Sequence, residues 1–306
     1  ELRYLHGTGR SIYEEWTEKN SLKPKIEKLL DDNRASLFWI GERRKGKDAN
    51  VILCFHGDGF MYPTQAPTLS FWYSVQAHLQ RKGKSIGIVF LDYSLIPGAA
   101  FPTQLSQAVL AIKHLLNLGM VPENIHLAGS SAGGNLVLQV LSHMLHPLPE
   151  VPELPLGRLG SVYLLSPWVI LYPPSSSTRK RNESTDVLDV QTLNRWGRQV
   201  LTSVASPTQP DVLPYLEPSK APPAWFTGLG KLVNRLLITA GGGECLVDEI
   251  AEFATRLQKE RIQIRYFHQP GGVYNDPYMD FIISTDPKKW VKVGNVVKGW
   301  YDSGLE

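Results

Sequence analysis

The chain has 306 residues, 42% of them hydrophobic, which suits one large α/β domain or two small ones with a substantial core. Lys+Arg 32 against Asp+Glu 29 leaves a formal charge of +3, too even for nucleic acid or an anionic membrane as the main partner. Two cysteines give no disulfide framework, and no apolar stretch has the length needed to span a bilayer.

Residues 11–31 read as helical, opened by Ser11 with Glu14 three residues on as a capping box and interrupted at Pro24. Residues 35–40 fit a strand, followed by a charged turn over 41–50. Val51-Ile52-Leu53-Cys54-Phe55 is a continuous apolar run, as expected of a strand buried on both faces. It ends in His56-Gly57-Asp58-Gly59-Phe60. A helix over about 67–81 leads to a strand over 86–91, and that to Asp92-Tyr93-Ser94-Leu95-Ile96-Pro97. A helix over 104–118 and a short buried strand over 124–128 follow. Next come Gly129-Ser130-Ser131-Ala132-Gly133-Gly134 and an apolar helix over 135–146. After a Pro-rich loop over 147–160, a strand over 162–165 closes with Ser166-Pro167-Trp168.

From Val169 to about Lys231 the alternation fails: Pro and Ser accumulate, a polar run covers 175–186, and a helix is expected over 189–202. The segment reads as an insertion over the C-terminal ends of the strands, where ligands bind in open α/β sheets. The basic runs Arg43-Arg44-Lys45 and Arg179-Lys180-Arg181 read as solvated loops. A strand over 235–239 then ends in Ala240-Gly241-Gly242-Gly243-Glu244, and a helix over 246–259 follows. The last strand, over 262–267, runs into Gly271-Gly272-Val273-Tyr274-Asn275, and a final helix is expected over about 287–301. Strands alternating with helices imply a mostly parallel sheet with right-handed crossovers. The expected architecture is a single domain over 1–306, with a helical cap from about 1–33 and about 169–231.

Ser131 sits at the centre of G-x-S-x-G between a strand and a helix. A sharp strand-to-helix turn pushes that side chain outward, and glycines two residues to either side remove Cβ atoms that would clash. Acyl transfer by such a serine needs a base, a carboxylate to orient the base, and N–H donors for the oxyanion. With His56-Gly57-Asp58-Gly59, Asp92 to Pro97, Gly129 to Gly134 and Glu244-Cys245-Leu246-Val247-Asp248-Glu249, the chain resembles the hormone-sensitive-lipase-like branch of the α/β-hydrolase superfamily over about residues 50–283. The resemblance implies the α/β-hydrolase fold, Ser131 as nucleophile and Glu244 as the acid, with Asp248 as its rival. It places the oxyanion hole at the N–H groups of Gly57, Asp58 and Ala132. Asp58 stands where the family carries glycine. Tyr274 stands where the family carries the catalytic histidine, and a phenol is a poor general base at neutral pH.

Three readings of Tyr274 stay open. His268 supplies the base; the tyrosine is an engineered replacement in an esterase; or the site serves other chemistry, with Tyr274 as proton donor or relay. The expected function is an esterase-like enzyme of specialised metabolism acting on an apolar, ester- or carbonyl-bearing small molecule. A non-hydrolytic cyclase, lyase or condensing enzyme is the first alternative, and an inactive small-molecule binding protein the second. Phe60, Met61, Tyr62, Trp168, Trp196 and Trp225 are the candidate pocket lining. There is no metal-ligand cluster and no G-x-G-x-x-G after a strand, so no metal and no cofactor are expected. A bridge between Cys54 and Cys245 and a homodimer both stay open. The expected location is the cytoplasm, with a targeting or anchoring segment ahead of Glu1 left open.

Overall fold

A computed structural model describes residues 7–29, 31–154, 157–172, 176–204, 212–283, 286 and 292–305. Among these, eight strands form one sheet: β1 (Ile26–Leu29), β2 (Asp32–Ile40), β3 (Asn50–Phe55), β4 (Ile86–Asp92), β5 (Ile125–Ser130), β6 (Leu159–Leu165), β7 (Val233–Gly241) and β8 (Gln263–Gln269), in the order β1-β2-β4-β3-β5-β6-β7-β8. The pairs β1/β2 and β2/β4 are antiparallel and all others parallel. The expected α/β-hydrolase architecture is therefore the observed one.

The continuous apolar run at β3 follows from its position. Val51, Leu53 and Phe55 point into the core on one face, while Ile52 and Cys54 point into a second core on the other. Helices cover both faces. On the first lie α3 (Thr103–Asn117), α4 (Ala132–Leu145) and α9 (Val247–Leu257); on the second lie α1 (Gly9–Lys19), α2 (Ala66–Arg81), α10 (Asp276–Ile283) and α11 (Lys292–Asp302). Each large side chain so buried, such as Ile250, Phe253 or Leu257 on α9, contributes about 1.5–3 kcal/mol. The remaining helical pieces are α5 (Ser177–Asn182), α6 (Val190–Ser203), α7 (Leu213–Leu216) and α8 (Leu229–Leu232). Both cysteines are buried and free, so the bridge does not form.

The N-terminal reading needs correction. The helix ends at Lys19, and Ile26 already pairs with Phe38 in the sheet. Pro24 carries no amide hydrogen and disfavours helix in the residue before it, so the chain leaves the helix and extends. The N-cap is Thr8, with Ser11 completing the reciprocal box, rather than Ser11 with Glu14. Tyr13 stacks on Phe38 at 4.8 Å, and Trp16 Nε1 donates to Ser70 Oγ at 2.9 Å. α10 was not legible in the sequence, and part of the segment expected as the final helix, 287–291, lies outside the described residues.

The strand order positions the site. From β3 the chain crosses to β4 on one side, and β5 then pairs with β3 on the other. The loops leaving β3 and β5 diverge there, which opens a crevice at the C-terminal ends of the strands.

Candidate active site

Ser131 caps α4 with φ 51° and ψ −116°, a left-handed backbone that a serine adopts only under constraint. Its N–H donates to Leu165 O at 2.9 Å, and its carbonyl accepts from Asn135 N at 2.9 Å and Trp168 N at 3.0 Å. The glycines are needed for close approach. A Cβ on Gly129 would lie 2.2 Å from Gly133 O, and one on Gly133 would lie 2.0 Å from Phe55 O. The turn is thus wedged between its own helix and β3.

The loop after β3 lies against the serine: a Cβ on Gly57 would sit 3.2 Å from Ser131 Cβ. Tyr93 holds this loop from below, its hydroxyl donating to His56 O at 2.8 Å and its ring stacked on the His56 imidazole at 4.1 Å. His56 is fully buried, which drives its pKa down to about 3, and its Nδ1 lies 3.2 Å from Gly57 O. It is a neutral structural group. Among the described residues, the N–H groups of Gly57, Asp58 and Ala132 donate no hydrogen bond. The Asp58 residue is partly exposed, and desolvation raises the pKa of its carboxyl to about 7. Its backbone has φ 65°.

The acid and tyrosine loops meet beneath Ser131. Glu244 Oε2 accepts from Ser166 Oγ at 2.7 Å, while Oε1 has no partner. Burial pushes this carboxyl well above the ordinary carboxylate range, and the charges of Asp186 and Asp276 add to the rise. Tyr274 is 5% exposed and its hydroxyl makes no hydrogen bond. Burial raises its pKa most, then the Asp58 carboxylate; the Ser131 hydroxyl pulls it back and Glu244 pushes it up. Ser131, Glu244 and Tyr274 are each buried, and the Asp58 and Glu244 carboxylates both act on the Tyr274 phenol.

Other expected residues lie elsewhere. His268 is exposed at the sheet edge, its ring against Gly242. Asp248 is exposed on α9 and accepts from Ser176 Oγ at 3.0 Å. Tyr62 and Trp196, with ring centroids 6.1 Å apart, line a groove of about 260 Å³ together with Met61, Ile96 and Arg195. Phe60 and Trp168 are 3% and 1% exposed and belong to the core. Trp225 stacks on His146 at 3.9 Å, at the far end of α4 from Ser131. A second cavity, of about 410 Å³, lies between the start of α1 and residues 92–95.

Four residues missed in the sequence tie these loops together. Asp186 accepts from Tyr274 N at 2.9 Å and from Cys245 N at 2.8 Å. Ser166, with φ 42°, bonds Glu244 and also accepts from Asn275 N at 3.3 Å. Asn135 Nδ2 bonds Trp168 O at 2.7 Å and Leu216 O at 2.9 Å. Asn182 Nδ2 donates to Glu244 O at 3.0 Å. Only Asn135 had a sequence signal, as a polar residue in an apolar helix; Asn182 and Asp186 lie in the polar run over 175–186, and Ser166 closes the strand over 162–165. Arg179 likewise corrects the solvated-loop reading. It is 2% exposed on α5, pairs with Glu249 at 2.5 Å, and donates from Nε to Cys245 O at 3.1 Å.

Several known proteins are similar to this chain in sequence. Human hormone-sensitive lipase is 29% identical over 178 residues, covering 56% of this chain and 15% of that protein. An acetyl-hydrolase of Streptomyces hygroscopicus is 30% identical over 186 residues, covering 57% of this chain and 56% of its own. An esterase of Acinetobacter venetianus is 25% identical over 189 residues, covering 62% and 56%. The chain thus spans little over half the length of the two bacterial proteins and far less of the human one. Among solved structures, an esterase from the bacterial hormone-sensitive lipase family superposes with TM-score 0.72 at 21% identity, covering 97% of this chain and 91% of that one, a likeness of fold. A sequence profile of the alpha/beta hydrolase fold matches residues 52–275, and the chain belongs to that family.

Proposed function

We propose that this protein is an esterase-like hydrolase of specialised metabolism, acting on an apolar small molecule that carries an ester or a reactive carbonyl. The observation that carries this reading is the strained Ser131 backbone at the tip of the elbow, facing amides at Gly57, Asp58 and Ala132 that bond to no other described residue. Ser131 Oγ attacks the carbonyl carbon, and those amides hold the oxygen that gains charge; one such donor is worth about 2.7–4 kcal/mol of barrier. Glu244 and Tyr274 complete the constellation, with Ser166 holding the Glu244 carboxyl. The names of the curated relatives support ester chemistry. Trp196 on α6 packs over Gly59, which supports a cap built from about 169–231, with Tyr62 and Trp196 as substrate contacts and Phe60 and Trp168 backing them.

A second reading, non-hydrolytic cyclisation, elimination or condensation, is favoured by one observation: burial holds the Tyr274 phenol in its protonated form with its hydroxyl unpaired. Such a group donates a proton to a forming enolate more readily than it accepts one. Hydrolysis of p-nitrophenyl acetate and butyrate by the natural chain and by Tyr274→His, each with a Ser131→Ala control, separates the two. Turnover by the natural chain that vanishes in Ser131→Ala is the expected outcome. Turnover only after Tyr274→His moves the reaction to the non-hydrolytic class.

A further inference from the structure

The groove beside the loop after β3 is built from two walls of different character. One wall is Met61 and Tyr62, the direct continuation of that loop; the other is the stripe Thr192, Arg195, Trp196 and Gln199 of α6. These four recur at the three- and four-residue spacing of a single helix face. The orientation of that face is fixed, because Leu193, Gly197 and Val200 are buried on the neighbouring one. The Trp196 indole is seated on the loop itself: a Cβ on Gly59 would lie 2.8 Å from its Cδ2 and Cε3. Phe60 O accepts from Ile96 N at 2.9 Å, which ties the turn at Ile96 to the same loop.

The groove therefore starts close to the serine. Gly57 abuts Ser131 and Gly59 abuts Trp196, and two residues of chain span at most about 7 Å. An acyl chain of moderate length held at Ser131 reaches that far. Among the described residues that line the groove, Arg195 is the one charged group. Its guanidinium makes no ion pair or hydrogen bond with a described residue. Thr192 does not engage it, since its hydroxyl donates to Asp189 Oδ2 at 2.9 Å to cap the helix. Beside the guanidinium stand the Tyr62 and Trp196 rings, with centroids 6.1 Å apart. A cation with no lining carboxylate suits a planar anion, which its fork of N–H donors can hold by two parallel bonds. The aromatic and apolar walls suit the chain that carries the anion.

We propose that the substrate is an acidic ester, with the scissile carbonyl at one end of an apolar acyl chain and a carboxylate at the other, and that Arg195 binds the carboxylate. The proposal rests on Ser131 being the nucleophile of the hydrolase described above. Arg195 makes and breaks no bond. It fixes the far end of the chain, so that the carbonyl is delivered to Ser131 with its acyl arm along α6.

The test compares 4-nitrophenyl hydrogen hexanedioate and octanedioate with 4-nitrophenyl hexanoate and octanoate. Each pair matches in chain length and leaving group and differs in the terminal carboxylate. In the natural chain the acidic ester should have the higher kcat/KM at one length or both, and raised salt should shrink its advantage. Arg195 is exposed, so its variants fold. In Arg195→Gln the ratio of kcat/KM, acidic over neutral, should fall about 5-fold or more, through KM rather than kcat. Arg195→Lys, which keeps the charge without the fork, should fall between the two. Because the ratio cancels a general effect on the site, a merely structural Arg195 would leave it unchanged. Preference for the neutral ester at both lengths, or an equal ratio in the natural chain and Arg195→Gln, overturns the acid arm while the hydrolase reading stands. A natural chain that turns over none of the four esters overturns the hydrolase reading, and calorimetric titration of the octanedioate ester then decides the groove by itself. A Kd raised about 5-fold or more in Arg195→Gln sustains Arg195 as a carboxylate site; an equal Kd, or no binding, overturns it.

Discussion

Replacing Asp186 by alanine tests the idea that the insertion segment holds the reactive loops in register. Asp186 receives N–H bonds from Tyr274 at 2.9 Å, Cys245 at 2.8 Å and its neighbour Val187 at 2.8 Å. The first two join loops 88 and 59 residues away in sequence. A hydrogen bond to a charged group contributes about 1.5–3 kcal/mol, so the two inter-loop bonds together set a range of about 3–6 kcal/mol. The residue is half-buried and burial raises its pKa, so part of the charge is lost and water reaches the freed amides. The lower end applies: about 3 kcal/mol for Asp186→Ala, and about half that for Asp186→Asn, which keeps one acceptor. Urea unfolding gives the stability, and the kcat and KM of ester turnover give the function. Because a loop shift of about 1 Å costs on the order of 100-fold in rate, kcat should fall more than KM rises. A loss under about 0.5 kcal/mol with unchanged kcat would refute the reasoning, since that is the range of an ordinary surface substitution.

Gly133→Ala puts a Cβ 2.0 Å from Phe55 O and 2.4 Å from His56 O. Backbone must move, so stability should fall by about 1–3 kcal/mol and Ser131-dependent turnover should disappear; an active, stable variant would show that the elbow does not need the close approach. Arg179→Met leaves Glu249 buried without its cation and should cost about 3–5 kcal/mol in urea unfolding, whereas the double change Arg179→Met, Glu249→Leu should recover most of it. His126 is neutral in the fold, its pKa pushed down to about 4 by burial. The unfolded chain takes up that proton below about 6.5, so the imidazole's contribution is complete above that pH and is lost as pH falls toward about 4. The raised carboxyls of Asp58, Glu244 and Asp276 act in the opposite sense and cancel in a comparison of variants. The stability of His126→Gln relative to the natural chain should therefore rise by about 3 kcal/mol between pH 6.5 and 4; a flat difference would place the His126 ring in water.

Much of the molecule was legible because local chemistry and global position agree along most of the chain. The β3 run is apolar at every position since both sheet faces are covered, and the alternation of strands with helices dictates a parallel sheet. The glycines around Ser131 betray the sharp turn because only a missing Cβ lets α4 and β3 approach so closely. Where the reading failed, propensity and periodicity had nothing to report. Residues 20–29 look compatible with helix, but the chain turns after Lys19, and Pro24 and pairing with β2 make Ile26–Leu29 extended. Arg179-Lys180-Arg181 looks like a solvated run, and only the arrival of Glu249 on α9 makes it possible to bury Arg179.

The sequence by itself determined the fold family, the position of Ser131 at a strained turn, and the chain order of the loops that approach it. A hydroxyl at the tip of a strand-to-helix turn is a local property, fixed by the residues within five positions of it. The tertiary structure decided what surrounds that hydroxyl. The pairing of Glu244 with Ser166 and the bridge from Asp186 to the Cys245 and Tyr274 amides each depend on loops from different strands meeting in one crevice. The pKa values follow from the same cause, because burial acts on a carboxyl or a phenol only once the rest of the chain has closed around it.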